Sequence, residues 1–315
     1  MRGGGVGAMS GPLDRFVHGP DIVRPGNDVS LYDARVRSRL TAVLVVALGL
    51  PRPVQAQSVD TTFDSNGVPI HYVASGSGEP VVLIHGFSAD LSMWDSVRVR
   101  LASDHRVIAM DCRGHGRSGK PHEPGAYGIE MVNDVTRLLD HLHIQKAHVV
   151  GYSMGGSIAL KLLETHPERL LSVTSGASQG FRASDDQWDS LLVKRLVAGE
   201  PLSQAMIESA PPGMPAPSPQ QRAMMSRMDS TQDSRALGAQ RVGNPGLYVD
   251  YARFKHTNVP VLLLVGERDQ PERFKELRAA LPGATFVVIP GAGHGSATDR
   301  PEFAQALAAF LAKHS

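Results

Sequence analysis

A single cysteine, Cys112, occurs among 315 residues. No disulfide can close within the chain, no Cys-based metal site is expected, and the fold has to stand on packing. The thirteen histidines include no helical H-x-x-x-H pair accompanied by an acid, which argues against a metal hydrolase; no cofactor is expected. An excess of charge of one sign is also missing. The formal net charge is +1 and the acidic and basic residues are scattered, so there is no basic stripe to track phosphates and nucleic acid is not an expected partner. Internal repeats and long low-complexity tracts are absent too. The apolar run Leu40 to Leu50 (LTAVLVVALGL) is too short to cross a bilayer comfortably, so no stable membrane anchor is expected.

That run instead has an export signal's layout. Arg35, Arg37 and Arg39 precede it, and Pro51, Pro53 and then Val54-Gln55-Ala56 follow, which predicts cleavage after Ala56 and a periplasmic or secreted location. Met1 to Ala34 is long for the charged region of such a signal, so a start nearer Val36 is a second expectation, and a cytoplasmic protein is the alternative if the signal reading fails. Residues 1–57 are in either case expected to lie outside the fold.

With 42% hydrophobic residues the remainder can bury a large core, enough for one α/β domain with an insertion. Thr61 to Phe63 and Val68 to Ala74 read as strands around the turn Asp64-Ser65-Asn66-Gly67. Beyond them strand and helix alternate. Val81 to Ile84, Arg106 to Met110, His148 to Tyr152, Leu170 to Thr174, Val261 to Val265 and Thr285 to Ile289 read as strands; Trp94 to Ala102, Ile129 to His143, Ser157 to Glu164, Phe274 to Leu281 and Pro301 to Ala312 read as helices. Such alternation implies right-handed crossovers and a mostly parallel sheet flanked by helices. It stops at residues 181–258, where helical pieces at Asp186 to Ala198, Leu202 to Ser209 and Gln220 to Gln240 surround the Pro-rich connector Pro211 to Pro217. This stretch predicts a helical cap inserted into a core of residues 58–180 and 259–315. Its methionines, Met206, Met214, Met224, Met225 and Met228, fit either an adaptable apolar lining or, at helical spacing, ordinary core.

The stretch HVVGYSMGG, His148 to Gly156, carries the chemistry. Gly151, Ser153 and Gly155 fill a G-x-S-x-G pattern between an apolar strand and an amphipathic helix. That is the context in which a serine sits at the apex of a strained turn that side chains on its neighbours would block. A serine hydroxyl is a weak nucleophile at neutral pH and needs a base within hydrogen-bond reach, itself held in one tautomer by a third group.

Four further stretches accompany it in order: HGF at His85 to Phe87, DCRGHGRSGKP at Asp111 to Pro121, GERD from Gly266 and GAGH from Gly291. With them the chain resembles the α/β-hydrolase superfamily over roughly residues 60 to 314, specifically small serine hydrolases of the esterase, lactonase and carbon-carbon hydrolase type. The resemblance implies the α/β-hydrolase fold, Ser153 as nucleophile, Asp269 and His294 as its partners in loops after two later strands, and backbone amides of Phe87 and Met154 as an oxyanion hole. Glu267 is the rival acid. Arg113, His115 and Ser118 belong to a bracing loop, and Trp94 is expected to pack the helix that follows the oxyanion loop. Phe87, Phe181, Trp188 and Leu191 are the expected pocket lining. A Ser nucleophile argues against the dehalogenases and epoxide hydrolases of this fold, which use Asp. The implied activity is hydrolysis of small-molecule esters of small to medium apolar acyl groups, with lactone or carbon-carbon hydrolysis as alternatives. A ligand-binding or signalling protein that keeps the triad is the rival from another class.

Overall fold

The computed structural model describes residues 58–183, 190–210, 213 and 216–315, and these all belong to one compact unit. The export signal, Trp188 and the first residues of the helix expected at Asp186 lie outside the described residues.

Eight strands form one sheet in the order β1-β2-β4-β3-β5-β6-β7-β8. They are β1 (Val59–Ser65), β2 (Val68–Ser75), β3 (Glu79–Ile84), β4 (His105–Met110), β5 (Ala147–Tyr152), β6 (Leu170–Gly176), β7 (Val261–Gly266) and β8 (Thr285–Ile289). The β1–β2 hairpin turns at Asn66-Gly67, both at positive φ, which these residue types tolerate. β2 meets β4 antiparallel, and every later pairing is parallel.

The central strands are apolar throughout because both of their faces are covered. Along β3, Val81 and Leu83 enter one core cluster while Val82 and Ile84 enter the other. One face is covered by α2 (Ile129–His141), α3 (Met154–Thr165) and α8 (Lys275–Ala280), the other by α1 (Asp95–Leu101) and α9 (Pro301–His314). Trp94, wholly buried in a short 3₁₀ turn before α1, packs its indole against the Phe303 ring of α9 at 6.2 Å between centroids. It is therefore a core residue, as expected.

Between β6 and β7 lie α4 (Ser190–Ala198), α5 (Leu202–Glu208), α6 (Pro219–Asp229) and α7 (Ser234–Gly243). The single helix expected over Gln220 to Gln240 is in fact α6 and α7. The break has a local cause. Ser230 and Thr231 donate their hydroxyls to the carbonyls of Arg227 and Met228, ending α6, and the Asp233 carboxylate accepts the Ala236 amide at 3.0 Å, starting α7. Side-chain bonds to nearby backbone compete with helix continuation in this way. Leu196, Leu202, Ala205 and Leu237 form a small apolar cluster of the insertion, with Met228 packed on it, whereas Met206 is exposed. At the neck of the insertion Phe181 forms a bridge with Tyr248, and its carbonyl accepts the Val249 amide at 2.8 Å.

Candidate active site

The sharp turn after β5 puts Ser153 at φ 54° and ψ −112°, a conformation that costs a non-glycine residue about 1–3 kcal/mol. Its surroundings hold it there. The Ser153 amide donates to the Gly176 carbonyl at 2.7 Å, and both motif glycines admit backbone where a side chain would stand. A Cβ on Gly151 would lie 1.9 Å from the Gly155 carbonyl oxygen, and one on Gly155 would lie 2.1 Å from that of Ile84. The glycines of the motif thus allow α3 to start directly against β5 and β3.

Because β3, β5, β7 and β8 run parallel, the loops after them share one edge of the sheet. The loop after β7 brings Asp269 and the loop after β8 brings His294. His294 Nδ1 lies 2.8 Å from Asp269 Oδ2, and its Nε2 lies 2.9 Å from Ser153 Oγ. With Nδ1–H donated to the carboxylate, Nε2 keeps a lone pair for the serine hydroxyl. The His294 side chain is 54% exposed and that of Asp269 is 21% exposed, so the relay is open to a ligand at its histidine end. Glu267 serves elsewhere, accepting the Gly291 amide at 2.7 Å and so fixing the turn that leads to His294.

The loop after β3 reaches the same place. Gly86 lies so close that a Cβ there would be 3.4 Å from Ser153 Cβ, which sets the Phe87 backbone beside the serine. His85 organises this bend. The Cys112 amide donates to its Nε2 at 3.0 Å, so Nδ1 carries the proton and donates to the Gly86 carbonyl at 2.7 Å. Complete burial pushes its pKa down and keeps it neutral. Met154 is the first residue of α3, and its amide is among those that a helix start leaves without an intrahelical acceptor.

The DCRGHGRSG loop is architecture. Asp111 accepts from His71 Nδ1 at 2.7 Å and from the amides of Leu91 and Arg117. Ser118 donates to the Asp111 carbonyl at 2.7 Å and accepts the His71 amide. Buried Arg113 makes a two-pronged pair with Asp134, 2.6 Å on each side. His115 is buried, with its pKa pushed well down chiefly by burial, and meets the rings of His85 and Phe87 edge-on. Burial in turn pushes the Cys112 thiol well up, which disfavours the reactive thiolate.

Of the residues expected to line a pocket, Phe87 stands at the site, half-buried. Phe181 sits half-buried at the neck of the insertion against the main core, and Leu191 is 43% exposed on α4. Trp188 is outside the described residues. Two contacts beside the relay escaped the sequence reading. Tyr152 donates its hydroxyl to the His294 carbonyl at 2.5 Å, and Arg241 lays its guanidinium over the Phe87 ring. No spacing rule announces either, since Tyr152 and His294 are 142 positions apart.

Among the described residues no group of three or more His, Cys, Asp or Glu is placed to hold a metal ion, and no helix is long and apolar enough to cross a membrane. A cavity of about 610 Å³ opens at the other end of the sheet, lined by Glu79, Arg100, Asp104 and His105 among others. It does not touch Ser153, and the relay geometry is the better guide to the chemistry.

Comparison with known proteins agrees with this architecture. The Alpha/beta hydrolase family profile matches residues 81–306. The chain is 31% identical over 273 residues to the dihydrolipoyllysine-residue acetyltransferase component of the acetoin cleaving system of Cupriavidus necator, covering 80% of this chain and 67% of that protein. It is 28% identical to the 2-hydroxy-6-oxo-6-(2'-aminophenyl)hexa-2,4-dienoic acid hydrolase of Metapseudomonas resinovorans, covering 82% and 92%. Among solved structures, a thermophilic esterase from Thermogutta terrifontis superposes with a TM-score of 0.68 at 28% identity, over 82% of this chain and 99% of that one. A profile match across most of the folded residues, on this sheet and with this strand order, establishes that the chain belongs to the alpha/beta hydrolase family.

Proposed function

We propose that the chain is a serine hydrolase that cleaves carboxylic esters of small to medium apolar acyl groups through an acyl-enzyme on Ser153. The observation that carries this reading is the continuous relay from Ser153 Oγ through His294 to Asp269, at 2.9 and 2.8 Å. In the proposed reaction His294 Nε2 takes the Ser153 proton as Oγ attacks the ester carbonyl. The carbonyl oxygen, now carrying the negative charge, receives hydrogen bonds from the Phe87 and Met154 amides. Collapse of this intermediate expels the alcohol, which takes the proton from His294. Water, deprotonated by the same nitrogen, then releases the acid and restores Ser153.

The acyl preference is supported by the apolar cluster of α4, α5 and α7 that packs beside Phe87, with the inserted helices read as a cap over the serine. The likeness to the Thermogutta terrifontis esterase favours esters. The likeness to the Metapseudomonas resinovorans hydrolase favours a second reading, carbon-carbon bond hydrolysis from the same relay. Export after cleavage near Ala56 remains part of the proposal on its sequence layout alone.

The test is steady-state hydrolysis of p-nitrophenyl esters from acetate to long-chain acyl by the chain beginning at Gln57, with Ser153→Ala alongside. Turnover that vanishes in the variant supports the reading, and the preferred chain length sizes the pocket. Wild-type activity that matches Ser153→Ala overturns it. Wild type that acylates once and stops points instead to ligand binding.

A further inference from the structure

Phe87 is one of the side chains at which the inserted helices and the serine-bearing core meet. Among the described residues, Phe87 is the apolar residue packed against both the main core cluster and the cluster of the insertion. The His115 ring stands against it at 5.9 Å between centroids and 77° between planes. Across its face lies Arg241 of α7, with Cζ 3.6 Å from the ring centroid and only 8% of the residue exposed. A guanidinium held this close over an aromatic ring and removed from water is a strong form of this contact.

The ring's position bears on the main chain because the loop has little freedom elsewhere. His85 pins the Gly86 carbonyl, Gly86 abuts Ser153, and Ser88 is held at φ 57°. Turning the ring about its side-chain torsions leaves the main chain in place, but with both neighbours held a translation of the ring is absorbed at Phe87 itself, whose amide is the proposed oxyanion donor. Such a donor works only when aimed within a few tenths of an ångström of the developing charge.

We propose that Arg241 is a positioning residue, which acts through the Phe87 ring to aim the Phe87 amide and so couples the seating of the inserted helices to oxyanion stabilisation. This inference rests on the serine-hydrolase reading above. It assigns Arg241 no contact with substrate.

The test is a double-mutant cycle between Arg241→Met and Phe87→Leu, with Arg241→Lys as a milder variant that keeps the charge but not the planar guanidinium. Turnover of a short neutral p-nitrophenyl ester is measured per active site, counted by fluorophosphonate titration, so misfolded protein does not enter the rate. Arg241→Met should lower kcat about tenfold with KM within about twofold, and should weaken inhibition by an alkyl boronic acid, which occupies the oxyanion site, by a similar factor. Arg241→Lys should fall between. In the Phe87→Leu background, Arg241→Met should have little further effect, since coupled residues are not additive.

Per-site kcat and boronate affinity within about twofold of wild type in both Arg241 variants overturn the inference. So does a loss that adds fully in the Phe87→Leu background. Either outcome leaves the hydrolase reading standing if Ser153→Ala abolishes turnover. Failure of that control instead overturns the reading and the inference together.

Discussion

Replacing Asp269 by Asn isolates the last step of the relay. The carboxylate sits 2.8 Å from His294 Nδ1, and in the proposed reaction it does two things: it fixes the tautomer that leaves Nε2 basic, and it stabilises the imidazolium formed as Ser153 attacks. Over that separation, opposite unit charges attract by roughly 6 kcal/mol at an effective dielectric of about 20 and roughly 3 at about 40. With the histidine side chain 54% exposed, the lower part of this range applies. A loss of about 3–4 kcal/mol corresponds to a kcat reduction of about 10²–10³. Asn also offers an N–H to Nδ1, which favours the wrong tautomer and pushes the loss towards about 10⁴. The assay is kcat on a p-nitrophenyl ester per fluorophosphonate-titrated site, with thermal unfolding run in parallel. Because Asp269 is itself partly exposed and its partner His294 is the more exposed of the two, the melting temperature should change little. Glu267→Gln is the control. Its carboxylate holds the Gly291 amide rather than the histidine, so it should cost about tenfold or less. Near-normal turnover in Asp269→Asn, with collapse in Glu267→Gln, would refute the assignment of the acid.

Ser153→Gly should abolish turnover yet raise the melting temperature, since glycine accepts φ 54° without the roughly 1–3 kcal/mol of strain stored in the turn; calorimetry showing destabilisation would contradict the strain. Asp134→Ala strips buried Arg113 of its two-pronged partner and should destabilise by about 3–5 kcal/mol, read by urea unfolding. Stability should also fall on acidification below about pH 6.5. Burial lowers the pKa of His85, His115 and His148, so the unfolded chain takes up protons that the folded chain refuses, and each histidine contributes a slope of up to about 1.4 kcal/mol per pH unit between its unfolded and folded pKa. Urea unfolding at several pH values checks this, and a slope unchanged in His115→Gln would exclude that residue. Tyr152→Phe removes the bond to the His294 carbonyl and should lower kcat several-fold, about 1 kcal/mol, with KM unchanged. An unchanged kcat would show that the loop is held without it.

The parts of this protein that were legible in its sequence are those set by local sterics and by short-range periodicity. Uninterrupted apolar runs such as VVLI and VLLLV declared strands covered on both faces, and their alternation with helices declared a parallel sheet. The glycines around Ser153 declared a turn where backbone meets backbone, and the chain order of Ser153, Asp269 and His294 followed from loops that leave the same sheet edge. The break between α6 and α7 was written in Ser230, Thr231 and Asp233, but helical periodicity on either side masked it. The motif position already favoured Asp269 over Glu267; only the tertiary structure set the Asp269 carboxylate at 2.8 Å from His294 and Glu267 on the Gly291 amide, tied Tyr152 to the His294 backbone and laid Arg241 on Phe87. Those choices depend on how loops from distant strands approach one another within a few tenths of an ångström, a distance that packing sets and that no residue spacing encodes.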